Sequence, residues 1–283
     1  MFDRCLFSLR LILVIFSILP VCAKVGDATD QPPRRIVSLG PTITEKLYLL
    51  GVQDELVGVT TYCERPPEAR AKEKIGNVTQ VNIEKVVELK PDLVLATSLT
   101  GSRSVERLEH LGLRVILFKE PSSFAEMNQQ FLQLGRIVGR EERAEAIVRD
   151  SEQKVERIRN RVKGLSRPKV FVQIGARPLF TATDDSFLHD FIEFAGGINI
   201  AAGAKTGLYS REAVLWRDPD VIIVVTMGIT AQNEKKGWQK FNSISAVKHD
   251  RIVIMDPYRT CSPTPETFVE ALEEMAKALH PGI

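Results

Sequence analysis

The stretch from Ser123 to Lys163 carries no strand signal, while on either side of it short apolar strands alternate with amphipathic helices. Its second part, 141–163, places apolar residues at 144, 147, 148, 155, 158 and 162 and fills most of the remaining positions with charge. That pattern is a long helix with a narrow apolar stripe. Strand–helix alternation on both sides of one long helix predicts an α/β fold: two Rossmann-like lobes with parallel-rich sheets joined by one long α-helix. The expected divisions are a first lobe over 34–138, a linking helix over 139–165 and a second lobe over 166–283.

In the first lobe, strands are expected over 35–39, 56–59, 92–96 and 114–118. Helices are expected from Gly40-Pro41-Thr42 to about Gly51, over 83–89 and over 104–111. The second lobe restarts with a strand over 169–174, a helix over 187–195, strands over 220–225 and 251–255, and a closing helix over 265–279. A faint repeat relates the halves. Asn82-Ile-Glu84 through Pro91-Asp92-Leu-Val-Leu matches Ser210-Arg-Glu212 through Pro219-Asp220-Val-Ile-Ile, with seven residues from Glu to Pro in both. Each copy reads as a polar cap, a helix, then Pro-Asp opening a buried strand.

Arg4 and Arg10, the apolar run Leu11–Leu19 broken by Ser17, then Pro20 and Val21-Cys22-Ala23 follow the order of a secretory signal peptide over 1–23. The run is shorter than the roughly 20 residues that span a bilayer. Leu19-Pro20-Val21-Cys22 is a poor lipobox, so cleavage and release to the periplasm is expected over a lipid anchor at Cys22. Cleavage after Ala23 leaves Cys63 and Cys261, enough for one bridge and not for a disulfide framework. The chain is 44% apolar and 26% charged with a net charge of +2, and its charges are dispersed, which gives nucleic-acid binding no footing.

Enzyme signatures are missing. There is no phosphate loop of Walker type, no G-x-S-x-G, no H-E-x-x-H and no C-x-x-C. His110, His189, His249 and His280 are scattered and read as surface or capping groups. What remains is a set of loops at the C-terminal ends of expected strands, where open α/β sheets hold ligands. They are Gly40-Pro41-Thr42, Thr60 through Pro67, Gly175 through Phe180, and Asp256 through Pro263. Rigid prolines, rings and a few polar groups suit a shallow cleft for a large, flat, partly polar ligand, and each loop taken alone also reads as an ordinary proline-rich turn. Trp238 reads as a helix anchor in the core, and Trp216 as packed against its sheet.

Arg35-Ile-Val-Ser-Leu-Gly-Pro-Thr-Ile-Thr-Glu45, Val57 through Tyr62 with Pro66-Pro67, Asn82-Ile-Glu84 through Val94, Ser210-Arg-Glu212 and the Asp256…Pro263 loop carry a resemblance. From Arg35 to Leu279 the chain resembles the periplasmic binding proteins whose lobes are joined by one rigid helix and which serve ABC importers of cobalamin, siderophores and haem. The likeness is greatest to the cobalamin-binding members. It implies a monomer that is not an enzyme, needs no cofactor beyond the ligand it carries, and delivers a corrinoid to the permease subunits of an inner-membrane importer. The ligand-binding positions it implies are Pro41, Tyr62, Cys63, Thr97, Phe180, Asp256, Tyr258 and Arg259. Glu84 and Glu212 are implied to dock on the permease, and each also sits in a first helical turn, where a carboxylate complements the helix dipole.

Departures from those members fall at Val78, Thr97 and near Thr206, where they carry tryptophan, and at Thr260, which stands for an arginine beside Arg259. An iron siderophore or haem is the alternative ligand, to which Arg65, Arg177 and Arg259 lend support. An enzyme on a similar fold, such as a metal-cluster reductase, is a remote alternative short of cysteine ligands. Cys63 and Cys261 are expected in facing cleft loops, as two small cleft residues, a bridge or a thiolate ligand.

Overall fold

Buried strands in a parallel sheet are apolar on both faces, and Ile36–Ser38 (β1), Leu56–Val59 (β2) and Leu93–Thr97 (β3) fit that rule, with Val115–Phe118 (β4) more open at the edge. They form a parallel sheet in the order β2-β1-β3-β4. The computed structural model describes residues 31–226 and 231–283. The expected signal segment, Cys22 included, lies outside the described residues.

Helices Pro41–Leu49 (α1), Ile83–Glu88 (α2) and Ser102–His110 (α3) connect these strands, with a 3₁₀ turn over Pro67–Ala71. β1 leads through α1 to β2 on one side, and β3 leads through α3 to β4 on the other. The chain therefore diverges between β1 and β3, a topological switch point where loops part and leave a crevice.

Two helices follow, Phe124–Ile137 (α4) and Glu141–Val162 (α5). One linking helix was expected; the structure has an antiparallel pair that spans both lobes. On α5, Ala144 and Val148 belong to the core of the first lobe, and Val155, Ile158 and Val162 to that of the second. On α4, Phe131, Leu134 and Val138 join the first core, and Phe124 and Met127 the second. The buried stripe of α5 runs 144, 148, 151, 155, 158, 162, and Ser151 marks the change of core, its hydroxyl donating to Val148 O at 2.8 Å. The pair packs closely enough that a Cβ on Gly135 would stand 2.4 Å from the Ala144 Cβ.

The second lobe is built on Lys169–Ala176 (β5), Leu179–Thr181 (β6), Ile198–Asn199 (β7), Val221–Val224 (β8) and Ile252–Ile254 (β9). The order is β6-β5-β8-β9, β6 antiparallel and β7 pairing β5. Around it lie Phe187–Phe194 (α6), Arg211–Arg217 (α7), Ala231–Trp238 (α8), Ser245–Lys248 (α9), Pro257–Cys261 (α10) and Pro265–Leu279 (α11). The short β6, β7, α9 and α10 carry too few residues for a periodic signal.

The sequence repeat is a structural one. Asn82 and Ser210 cap α2 and α7 by accepting from Lys85 N and Ala213 N. Lys90 and Asp218, each just before the proline, take left-handed backbone with φ of 47° and 45° and stop the helix. Asp92 then accepts from Arg34 N and Arg35 N beside β1, and Asp220 from Lys169 N at the start of β5. Each lobe thus anchors its first strand to the aspartate of its repeat.

Trp238 is fully buried: its indole N–H donates to Gln173 Oε1 at 2.5 Å, and the Arg211 guanidinium lies 4.4 Å from its ring. Trp216, expected against the sheet, is instead 82% exposed on α7.

Candidate functional site

The switch point of the first sheet opens onto a cleft of about 620 Å³ that also reaches α10 of the second lobe. Pro41 begins α1 and Thr97 ends β3. The two loops meet because residue 40 is glycine, where a Cβ would come 2.4 Å from Thr97 Cγ2. Tyr62 projects from the turn after β2 and is 60% exposed; Leu99 projects after β3 and is 67% exposed. Tyr258 and Ser262 face them from the second lobe. Rings and a leucine held open to solvent on rigid turns are the chemistry of a concave binding surface.

The two arginines of the cleft lining are paired with its carboxylates. Arg65 reaches Glu45 at 3.6 Å and lies 4.9 Å over the Tyr258 ring. Arg70 reaches Glu64 at 3.7 Å. Burial raises the Glu45 carboxyl above its ordinary range, against the pull of Arg65. Glu120, open to the cleft but crowded by its walls, is raised by loss of hydration against the pull of Lys46. Lys46 lies beneath, and burial lowers it to about 8 against the pull of Glu120 and Glu45.

Of the expected ligand positions, the structure brings Pro41, Tyr62, Thr97 and Tyr258 together on this cleft. Four others have different surroundings. Cys63 is fully buried in the first lobe, its Sγ 3.1 Å from both Thr44 Oγ1 and Thr60 Oγ1. Asp256 caps α10, accepting from Tyr258 N and Arg259 N at 2.8 and 3.0 Å, because the expected loop is a helical turn. Arg259 turns toward Glu270 and Glu274 on α11, at 3.6 and 3.8 Å, and away from the cleft lining. Phe180 lies on β6, 42% exposed and packed over Gly207, outside that lining.

Both thiols are free and unbridged, Cys63 buried in the first lobe, and burial pushes the Cys261 thiol up to about 12. Val78, at a position where a tryptophan was missed, is part of the cleft wall. Glu84 and Glu212 stand exposed in the first turns of α2 and α7, Glu84 3.5 Å from Arg107.

Glu45, Leu99 and Glu120 escaped the sequence reading. Glu45 is one helical turn beyond Pro41, hence on the same face of α1. Leu99 and Glu120 follow the C-terminal ends of β3 and β4, the sheet edge that had already been searched in neighbouring loops. Among the described residues no group of three or more His, Cys, Asp or Glu is placed to hold a metal ion, and no helix is long and apolar enough to cross a membrane.

A family profile described as "Periplasmic binding protein" matches residues 36–258. An uncharacterized ABC transporter substrate-binding lipoprotein of Bacillus subtilis (strain 168) is 33% identical over 274 residues, covering 91% of this chain and 85% of the relative. The solved structure of a possible iron-binding (periplasmic solute-binding) protein from Staphylococcus epidermidis superposes with a TM-score of 0.80 at 28% identity, over 88% of this chain and 100% of that one. The periplasmic vitamin B12 binding protein of Vibrio cholerae superposes with a TM-score of 0.74 at 28% identity, over 88% and 97%.

Proposed function

The chain belongs to the periplasmic binding protein family, and from that premise we propose that its cleft takes a corrinoid, cobalamin or a close relative, for delivery to an importer's permease. It is the substrate-binding component of an ABC importer. Such a component captures its solute and releases it unchanged, so no catalytic residue is assigned.

One observation carries the choice of ligand. Both cations that line the cleft are already engaged, Arg65 by Glu45 and the Tyr258 ring, Arg70 by Glu64. A ligand bearing carboxylates, such as haem or a carboxylate siderophore, meets no unpaired cation among the described lining residues and brings its charge near Glu45, Glu64 and Glu120. A corrin ring with neutral amides on its rim meets Tyr62, Leu99 and Tyr258 with its faces, and the hydroxyls of Thr42, Thr97 and Ser262 with its edge. Apolar burial supplies about 25 cal/mol per Å² covered. The rival, an iron chelate or haem, is supported by the Staphylococcus epidermidis neighbour.

Glu84 and Glu212, matched in the repeat and carried on opposite lobes, form the docking points for the permease in this reading. The exposed Trp216 shares α7 with Glu212 one turn away and supplies an apolar contact beside that charge. Export to the periplasm fits the N-terminal pattern, and the lipoprotein name of the Bacillus relative keeps attachment at Cys22 beside cleavage after Ala23. The intact mass of the exported protein separates the two.

The test is calorimetric titration of the purified protein with cobalamin, cobinamide, haem and a ferric siderophore. Corrinoids are expected to bind at least about tenfold more tightly than the others, a difference of roughly 1.4 kcal/mol. Tighter binding of haem or the siderophore overturns the corrinoid reading.

A further inference from the structure

The repeat of the two lobes sets Gln80, Glu84 and Glu88 of the first against Leu208, Glu212 and Trp216 of the second, each pair at the same offset from its helix cap. All six are exposed. The backbone plan is shared and the chemistry is not. Around Glu84 the surface is polar: Arg107 lies 3.5 Å from that carboxylate, Glu88 adds a second negative charge one turn on, and Val87 is the exposed apolar side chain of α2.

Around Glu212 the surface is apolar. Leu208 stands two residues before the cap and pairs with Phe180 of β6, which puts both exposed side chains on one face of the strands. Trp216, one turn beyond Glu212, is the most open large apolar side chain among the described residues. The Arg217 guanidinium stands 5.6 Å from its ring, near the outer limit of a cation–π contact. Glu212 is left to meet a cation from outside. Its neighbour Arg211 is engaged by Glu234 at 3.0 Å, and its own backbone N–H and the Ser210 hydroxyl hold its carboxyl below the ordinary range.

An open indole and two further apolar side chains around one carboxylate mark a contact surface, and tryptophan is the side chain most often found at the centre of one. The carboxylate suits a cationic protein face and not the anionic headgroups of a bilayer. We infer that the permease is gripped unequally: Leu208, Glu212 and Trp216 of the second lobe are the tight anchor, seated in an apolar pocket rimmed by a cation, while the first-lobe surface around Glu84 steers the approach. This deepens the docking reading above and rests on it. The protein presents unlike ends to the permease and leaves only when the second lobe lets go.

Binding to the importer's permease in lipid nanodiscs, followed by surface plasmon resonance at low and high salt, tests this. Trp216→Ala is expected to weaken binding about thirtyfold at both salts, mainly by faster release. Glu84→Ala is expected to weaken it about threefold, by slower association and at low salt only. Leu208→Gln/Trp216→Glu, which gives the second lobe the residues of the first, is expected to lose at least as much as Trp216→Ala. Melting temperatures check that the variants are folded. A loss in Trp216→Ala no greater than that in Glu84→Ala overturns the unequal grip, and equal binding to empty nanodiscs overturns the permease as the occupant. Unchanged binding in Trp216→Ala, Glu84→Ala and Glu212→Ala alike defeats the docking reading itself, a result distinct from the other two.

Discussion

The Arg65 guanidinium of the first lobe lies 4.9 Å over the ring of Tyr258 in the second, joining the two sides of the cleft. Glu45 holds the same arginine at 3.6 Å, so the ring meets a cation whose charge is already shared. The residue is half-exposed and lines the cleft. Replacing it removes one ring contact, on the order of 1 kcal/mol. Tyr258→Ala is expected to weaken cobalamin by about fivefold to tenfold and to lower the melting temperature only slightly, through loss of the Arg65 contact, while Tyr258→Phe keeps both. Titration calorimetry beside thermal unfolding reads both.

Lys46 makes stability rise with pH in the alkaline range. Its folded value of about 8 lies below the ordinary 10.5, so between those values the unfolded chain holds more protons. The cost of burying the cation is present below about 8 and relieved as pH climbs toward 10.5. The urea midpoint of the ligand-free protein, relative to that of Lys46→Met, is expected to rise across this window. A flat difference contradicts the assignment. Glu120 acts with the same slope logic reversed: its raised carboxyl makes the folded chain the better proton binder, so stability falls as pH rises out of the carboxylate range, and Glu120→Gln flattens that fall.

Gly135 permits the close approach of α4 to α5. A methyl group there meets the Ala144 Cβ at 2.4 Å, and the helices must shift. Gly135→Ala is expected to cost about 1–3 kcal/mol, as overpacking does. In the Ala144→Gly background the same change is expected to cost much less, and equilibrium denaturation of the four proteins measures the coupling.

Glu84 and Glu212 are exposed and lie away from the cleft lining. The double variant Glu84→Ala/Glu212→Ala is expected to keep ligand affinity within about twofold and to lower transport, most visibly at low salt. Trp216→Ala is expected to leave stability within about 0.5 kcal/mol, as surface changes do, and to weaken permease binding. Loss of ligand affinity in the glutamate variant counts against separate docking points.

Cys63 and Cys261 are expected to resist alkylation in the native protein at pH 8, one by burial and the other because its thiol is pushed up to about 12. Denaturation exposes both to rapid labelling. Mass spectrometry with and without denaturant distinguishes this from a bridge, which would block both until reduced.

Much of the architecture was legible because periodicity survives without tertiary knowledge. The runs 36–38, 93–97 and 221–224 are apolar because both faces of their sheets are covered. The Pro-Asp repeat was readable as spacing. Its meaning, aspartates that each anchor the first strand of a lobe, required seeing Asp92 beside Arg35 and Asp220 beside Lys169. Trp216 was misread because helical periodicity says which residues share a face and not which face is covered.

The residue pattern alone determined two α/β lobes, a long amphipathic helix and the sheet edge that borders the cleft, since these follow from local spacing and chain reversal. Tertiary structure decided which side chains reach the cleft. Cys63 and Arg259 stand in the expected loops but are turned elsewhere by Thr44 and Thr60 or by Glu270 and Glu274, and Asp256 is engaged by the backbone of its own helix. Side-chain direction is set by partners distant in the chain or by a helical turn too short to announce itself, and neither leaves a periodic trace.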